Sequence, residues 1–467
     1  MINNRLREKQ NRVCYNWGFQ FALWCSILWG ISYQFLEILI TRDTFSRLKT
    51  TAGHAYAAGA ALSAVLTAMI TLIAVVWLLC AGDIKEIRRA ALHSPGASRR
   101  FLIQAITGGL AAWATYVTAG LSNTVFAVSG VMFYPLFGSL LARKYLMERI
   151  PSKIKGGMLM ICAGWALFYF PPVIQKSWGQ HTWVGSILGL LTGIGWAMEG
   201  VAASGSSDLI DTDTCVAVRY LYEFAIWAAL LLPLALFLPE CLIWQYIRLV
   251  LYDPYSMGIL FLIALCLCFN YFSWYRSFTL MGVTEGLVIS NVSGFATVLA
   301  GMLLAISMPT WIEAAASLIM IFGVFQVYWH GLSSTGIYRG VNLAPMPACP
   351  FLQDYPDDHS AVPLKTRLLL LIAAKGPVWD FEAADLLTRH IRSPITRQRC
   401  RNRLRTYMIE ARAAGLLTSV EETVDETPYF QTGKLLSRYQ LTAYGYGLLL
   451  QKQLLRPEAG NDRTDRE

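Results

Sequence analysis

Apolar runs of membrane-spanning length recur ten times in the first 331 residues, and that recurrence leaves few folds open to the chain. They lie near residues 17–40, 56–81, 101–121, 124–147, 153–172, 182–204, 215–238, 256–278, 283–306 and 310–331. A helix needs about 20 residues to cross the hydrocarbon, and in lipid the backbone must satisfy its own hydrogen bonds. The expectation is an all-α polytopic membrane protein of ten transmembrane helices. Composition agrees: 15% of residues are charged, where a soluble surface needs about 25%. The ten cysteines contain no CxxC pair and fall mostly in apolar runs, so they read as small buried hydrophobes.

The charge pattern sets an orientation. Arg5, Arg7, Lys9 and Arg12 precede the first run. That run is too long for a signal-peptide core of about 7–15 residues, and no small-x-small site follows it. With the N-terminus inside, the inner loops hold Lys85, Arg88, Arg89, Arg99 and Arg100, then Arg143, Lys144, Arg149, Lys153 and Lys155. The outer loops are poorer in Lys and Arg, as the positive-inside rule requires. The turn at Asp208, Asp211 and Asp213 breaks the pattern, being acidic yet inside. In a membrane protein a net excess such as this +9 (39 Lys and Arg against 30 Asp and Glu) usually marks cytoplasmic loops rather than a nucleic-acid partner. Both termini are expected in the cytoplasm, with the protein in the inner (plasma) membrane.

The sequence also repeats. Tyr134–Gly157 reads YPLFGSLLARKYLMERIPSKIKGG, and 158 residues later Val292–Ala315 reads VSGFATVLAGMLLAISMPTWIEAA. Pro151 falls on Pro309, and Ile154 on Ile312. Leu28-Trp29-Gly30 is echoed by Gly195-Trp196-Ala197. Five spans followed by five more invert the second copy, because an odd number of crossings reverses the chain. Inverted repeats of this kind build secondary transporters with a site near the midplane.

LWGISY after a basic N-terminus, YPLF…MERIPSKIKGG…AGWAL, GWAME and FSWYRSFTLMG together resemble the EamA-type families of the drug/metabolite transporter superfamily. The resemblance spans about residues 15–331. It implies a 5+5 inverted-repeat bundle that moves small metabolites, often outward. It also implies family-motif roles for Pro135 and Glu148, which stand where the first repeat carries its Pro and Glu. The second copy departs, with Ser293 and Ile306 in those places.

Beyond 331 the composition shifts. Residues 332–363 are rich in Pro, Gly and Ser and read as a linker; residues 364–455 read as a small soluble domain and 456–467 as a polar tail. Three helical patterns, strand-like stretches around Leu417–Val424 and Arg438–Thr442, and a last helix near 443–455 resemble an α+β winged helix.

Ionisable residues at bilayer depth are costly and mark sites. Glu199 in the sixth run could load a proton and couple it to transport. Glu37 either does the same or snorkels to the outer surface. Arg219 and Glu223, four apart, read as an intrahelical ion pair. Trp29, Tyr33, Trp196, Tyr220, Asn270, Tyr271, Trp274 and Asn291 could line a polar, aromatic cavity, or simply pack. Glu148 reads as an interfacial turn residue. In the tail, Arg397, Arg401, Arg405 and Arg412 share one flank of a helix, which suits DNA, anionic lipid or plain solvent.

No nucleotide loop, paired His ligands or nucleophile elbow occurs, so no enzyme, cofactor or metal is expected. The expected partners are the bilayer, a small-molecule substrate, a coupling proton, DNA or anionic lipid at the tail, and a second copy of the chain. The function read from the sequence is export of small metabolites. The alternative is a membrane-tethered sensor whose tail binds DNA.

Overall fold

The computed structural model describes residues 2–42, 45, 52–94, 97–121, 133–174, 182–304, 308–331, 336–349, 361–426, 429–430 and 433–455. The membrane part runs α1 (Ile2–Ile40), α2 (Ala52–Ala81), α3 (Ile84–His93), α4 (Ala97–Leu121), α5 (Tyr134–Tyr145), α6 (Ser152–Ile174), α7 (Thr182–Ser207) and α8 (Thr212–Phe237). It continues α9 (Leu242–Tyr252), α10 (Pro254–Met281), α11 (Val283–Ser290), α12 (Ser293–Leu303) and α13 (Trp311–Gly331). The tail runs α14 (Leu364–Lys375), β1 (Val378–Trp379), α15 (Asp380–Thr388), α16 (Pro394–Ala413), β2 (Leu417–Val424), β3 (Leu435–Leu441) and α17 (Ala443–Gln451).

Among the described residues, eight helical segments are long and apolar enough to cross a membrane, which marks the chain as membrane-embedded. Seven are α1, α2, α4, α7, α8, α10 and α13. The eighth is α11 and α12 taken together, Val283–Leu303. Of the two other expected spans, the fourth loses residues 124–132 and its short turn at Ser122 and Asn123 to the part outside the described residues, and its remainder holds α5. The fifth corresponds to α6.

Local chemistry explains the helix ends. Asp211 caps α8 by accepting from Asp213 N, and Asp253 caps α10 by accepting from Tyr255 N, with Pro254 at the first helical position. Between α10 and α11 the chain turns on Gly282 at φ 89°, a conformation that only glycine adopts without strain. The most extensive helix pairs are α1 with α10, α4 with α7 and α6 with α13. Small residues permit the last crossing: a Cβ on Gly157 would lie 2.5 Å from the Gly323 carbonyl oxygen.

The tail carries a three-stranded antiparallel sheet in the order β1-β3-β2, with Val378 opposite Tyr439 and Leu417 opposite Leu441. A bulge interrupts the register between Ser419 and Glu421. Leu368, Ile372, Ala383, Leu404, Met408, Leu417 and Tyr439 form its core.

The tail is seated on the bundle. Arg339, fully buried, holds Asp208 through two bonds of 2.9 and 3.0 Å. Lys365 Nζ bridges the Ser207 carbonyl at 2.7 Å and Glu410 at 2.6 Å. Thr366 Oγ1 donates to the Leu209 carbonyl, Tyr407 Oη to Asp211, and Arg403 to Asp83. The acidic turn that breaks the loop-charge pattern is therefore the socket for the tail's cations. Of the expected linker, residues 336–349 and 361–363 are described, and the first stretch is also engaged. Its backbone forms isolated antiparallel β-bridges, Arg339 opposite Glu148 and Pro345 opposite Thr442, and Met346 N donates to the Leu441 carbonyl.

Candidate functional site

The centre of the bundle is held together by charge. α7 supplies Glu199, and α8 supplies Arg219 and Glu223. Arg219 Nε lies 2.8 Å from Glu199 Oε1, and its Nη1 lies 2.5 Å from Glu223 Oε2. Their side chains are 0–3% exposed. The intrahelical pair expected from spacing is present, but it is half of a triad that ties α7 to α8. Only a neighbour without side chains can approach such a group closely. α4 provides one: a Cβ on Gly108 would collide with Glu199 and Arg219, and one on Gly109 would lie 3.2 Å from the Glu223 carboxyl carbon.

Further bonds fix each carboxylate. Glu199 accepts from Tyr275 Oη at 2.9 Å, and Glu223 from Thr67 Oγ1 at 2.7 Å. The Arg219 guanidinium sits 4.0 Å over the Tyr220 ring and 5.0 Å from the Tyr271 ring centroid, where the rings favour a cation. Polar contacts continue from the triad toward the tail side. Tyr275 Oη lies 3.3 Å from Gln104 Oε1, and Gln104 Nε2 donates to Ser206 Oγ. With all three groups ionised the triad carries a net charge of −1.

A cavity of about 50 Å³ lies beside the triad. Holding one water takes about 10–15 Å³ of such space, so it admits a few waters and no metabolite. Of the expected cavity residues, Trp29, Tyr33, Trp196, Tyr220, Asn270, Tyr271 and Trp274 line it, joined by Arg219, Glu223 and Thr67. Their rings are in contact: Trp29 with Trp196 at 4.7 Å, and Tyr271 with Trp274 at 5.6 Å. Ser63 Oγ and Trp196 Nε1 line the cavity and have no hydrogen-bond partner among the described residues.

Two expected residues sit elsewhere. Glu199 stands behind Arg219 rather than on the cavity wall. Asn291 sits at the break between α11 and α12, away from the cavity. That break is stitched by side chains: Ser26 Oγ reaches the Ile289 and Ser290 carbonyls, Trp165 Nε1 donates to the Asn291 carbonyl, and Tyr134 bonds Ser290. Asn270 Nδ2 donates to the Cys25 carbonyl at 2.7 Å, so it also ties α10 to α1. Glu37 is half-buried near the C-terminal end of α1.

Of the family-motif residues, Pro135 is buried in the first turn of α5. Glu148 is a buried cap for α11, its carboxylate accepting from Val283 N at 2.7 Å, Thr284 N at 3.0 Å and Thr284 Oγ1 at 2.9 Å. Burial raises its pKa, and those bonds pull it back down.

In the tail, the four arginines of the basic flank each have partners within the protein. Arg397 donates to the Ile391 carbonyl and Arg401 pairs with Asp385. Arg405 donates to the Leu435 carbonyl and lies over Phe430, while Arg412 donates to Asn11. Among the described residues no group of three or more His, Cys, Asp or Glu could hold a metal ion.

No family model and no curated protein matches the chain. A solved structure described only as "Crystal structure of protein" superposes with a TM-score of 0.48 at 13% identity, over 68% of this chain and 98% of its own.

Proposed function

We propose that the chain is a secondary transporter of small metabolites, acting as an exporter in the inner membrane with both termini cytoplasmic. The carrying observation is the triad of Glu199, Arg219 and Glu223 beside a small, aromatic-walled cavity among the helices. Its net −1 can be balanced by a proton on one carboxylate or by a positively charged group on a substrate. Competition between the two would couple a proton to transport.

The 5+5 inverted repeat is supported by the helix pairing. Counting α1, α2, α4, α5 and α6 as the first five spans, and α7, α8, α10, α11–α12 and α13 as the second, a shift of five spans exchanges α1/α10 with α7/α4. It also maps α6/α13 onto itself. The broken span α11–α12 is of the kind that transporters place near their sites. The resemblance to EamA-type transporters points the same way.

The test is flux in proteoliposomes across pH. Glu199→Gln keeps the size of the side chain and removes its charge. It should cut flux at least tenfold and flatten the pH dependence while membrane abundance stays near wild type. Normal flux across the pH range would remove proton coupling through this residue.

The alternative is a sensor whose bundle reports on a ligand through the tail. It is favoured by the seating of the tail on the α7–α8 turn, next to the triad helices. A sensor would bind solute without net flux, and its DNA contacts would have to come from a tail freed of the bonds that Arg397, Arg401, Arg405 and Arg412 make.

A further inference from the structure

A second cavity, far larger than the central one, opens between the bundle and the tail. It is a cleft of about 510 Å³ walled by α1, α2, α10 and the turn before α8, and closed on one side by α16. We propose that this cleft binds the headgroup of an aminophospholipid from the bilayer leaflet on the tail side. This site is independent of the transport reading.

The open side of the cleft is rimmed by exposed aromatic side chains. Trp17 is 55% exposed and Trp77 41% exposed. On α1, Val13 and Trp24 share the stripe of Trp17 and are also exposed, and on α2 Val76, next to Trp77, is exposed as well. Tryptophans at the level of the headgroups are the usual boundary of a bilayer. A lipid lying in this groove would keep its acyl chains against that apolar surface and place its headgroup inward.

The inner side is charged, and its pairing is incomplete in a specific way. Arg276 holds Asp213 through Nε at 2.9 Å and Nη2 at 2.7 Å, which leaves Nη1 to face a ligand. Arg403 uses Nη1 on Asp83 at 2.6 Å, leaving Nε and Nη2. Glu410 is neutralised by Lys365. Asp211 is different. It accepts from Tyr407 Oη at 2.9 Å and from Asp213 N at 3.2 Å, and among the described residues it makes no ion pair.

Among the described residues the cleft therefore offers two guanidinium edges and, within reach of their charge, one carboxylate that neither of them bonds. A phosphate bonds well to guanidinium groups, and a primary ammonium can donate directly to a carboxylate. Phosphoethanolamine carries both groups in one headgroup. The quaternary ammonium of phosphocholine has the same charge but no N–H to give Asp211, so the site should discriminate between the two. Trp77 Nε1 donates to Asp213 at 3.1 Å, and Arg276 lies 5.6 Å from the Phe21 ring centroid. These contacts hold the polar groups at the edge of the apolar surface.

The experiment is native mass spectrometry of the full chain extracted from vesicles of equimolar phosphatidylethanolamine and phosphatidylcholine with matched acyl chains. Wild type should retain phosphatidylethanolamine several-fold over its share in the vesicle. Asp211→Asn removes the charge but can still cap α8, so its retained lipid should fall to the vesicle ratio. Thr406→Trp, at an exposed position on the cleft wall, should lose the retained lipid without altering charge. Its melting should match wild type. No enrichment in the wild type, or enrichment that survives either variant, overturns the proposal. Binding of free phosphoethanolamine by the wild type as tight as that of the lipid would assign the site to a water-soluble ligand instead.

Discussion

Replacing Arg219 with leucine tests whether the central triad is a true low-dielectric charge cluster. The side chain makes ion pairs at 2.8 and 2.5 Å to two carboxylates that are themselves 0–3% exposed. Removing one member of a buried pair typically costs about 3–5 kcal/mol, because the partner is left charged and dry. Here two partners are left. Each can escape by taking a proton, which for an ordinary carboxyl costs about 4 kcal/mol at pH 7.5 and about 1 kcal/mol at pH 5. The loss in Arg219→Leu is therefore capped by protonation and should shrink on acidification. The assay is thermal unfolding of the full chain in detergent, as midpoint against pH. Arg219→Leu should melt far below wild type at pH 7.5 and recover most of the difference at pH 5. A triple variant with Glu199→Gln and Glu223→Gln should melt near wild type at both, since it leaves no unpaired charge. If Arg219→Leu melts like wild type at pH 7.5, water reaches the triad, and the net charge assigned to it would not govern what it binds.

Glu148→Gln should destabilise the chain by about 1–3 kcal/mol, because a charged acceptor of two N–H groups and a hydroxyl is replaced by a group that turns a donor toward them. Flux per folded molecule should be unchanged; unaltered melting would show that α11 does not depend on this cap. Asp380 in the tail has its pKa pushed up to about 6, by burial first and against the pull of Arg405. A raised carboxyl favours the folded state at low pH, so the tail should lose about 3 kcal/mol as pH rises from about 4 to about 6. Hydrogen exchange in α15 and β3 should show that loss in wild type and not in Asp380→Asn; identical profiles would refute it.

The sequence made the membrane helices legible because burial in lipid requires long unbroken apolar runs, and composition alone reveals those. It made seven of the cavity-lining residues legible because aromatics and amides are rare and conspicuous in such runs. The triad was legible only in part. The i,i+4 spacing exposes Arg219 with Glu223, but nothing in the spacing says that Glu199, on another helix, completes it. Gly108 and Gly109 were the available signal, since paired glycines mark where something must come close. The break at Asn291 was hard to see because no Pro stands there and Gly294, three residues on, lies inside an apolar run; the carbonyls at the break are captured by Ser26 and Trp165 from distant helices. β1, two residues long, has too few side chains to show alternation. The basic flank of α16 looked free because its partners, such as Asn11, Asp385 and Leu435, are remote in sequence or contribute only backbone.

The seating of the tail has a consequence for anyone who shortens this protein. Arg339 and Lys365 reach groups at the end of α7 and in the turn that follows, and both lie past the last membrane helix. A chain cut after residue 331 would leave Asp208 without Arg339 and the backbone around Glu148 without its β-bridge, in which Arg149 N donates to the Tyr338 carbonyl and Gly340 N to the Met147 carbonyl. It would also strip one wall from the cleft beside Trp17. Such a truncation is a lesion in the bundle, so a loss of activity in it could not be credited to a missing regulator. Point changes on the outer face of the tail, away from these contacts, separate the two effects.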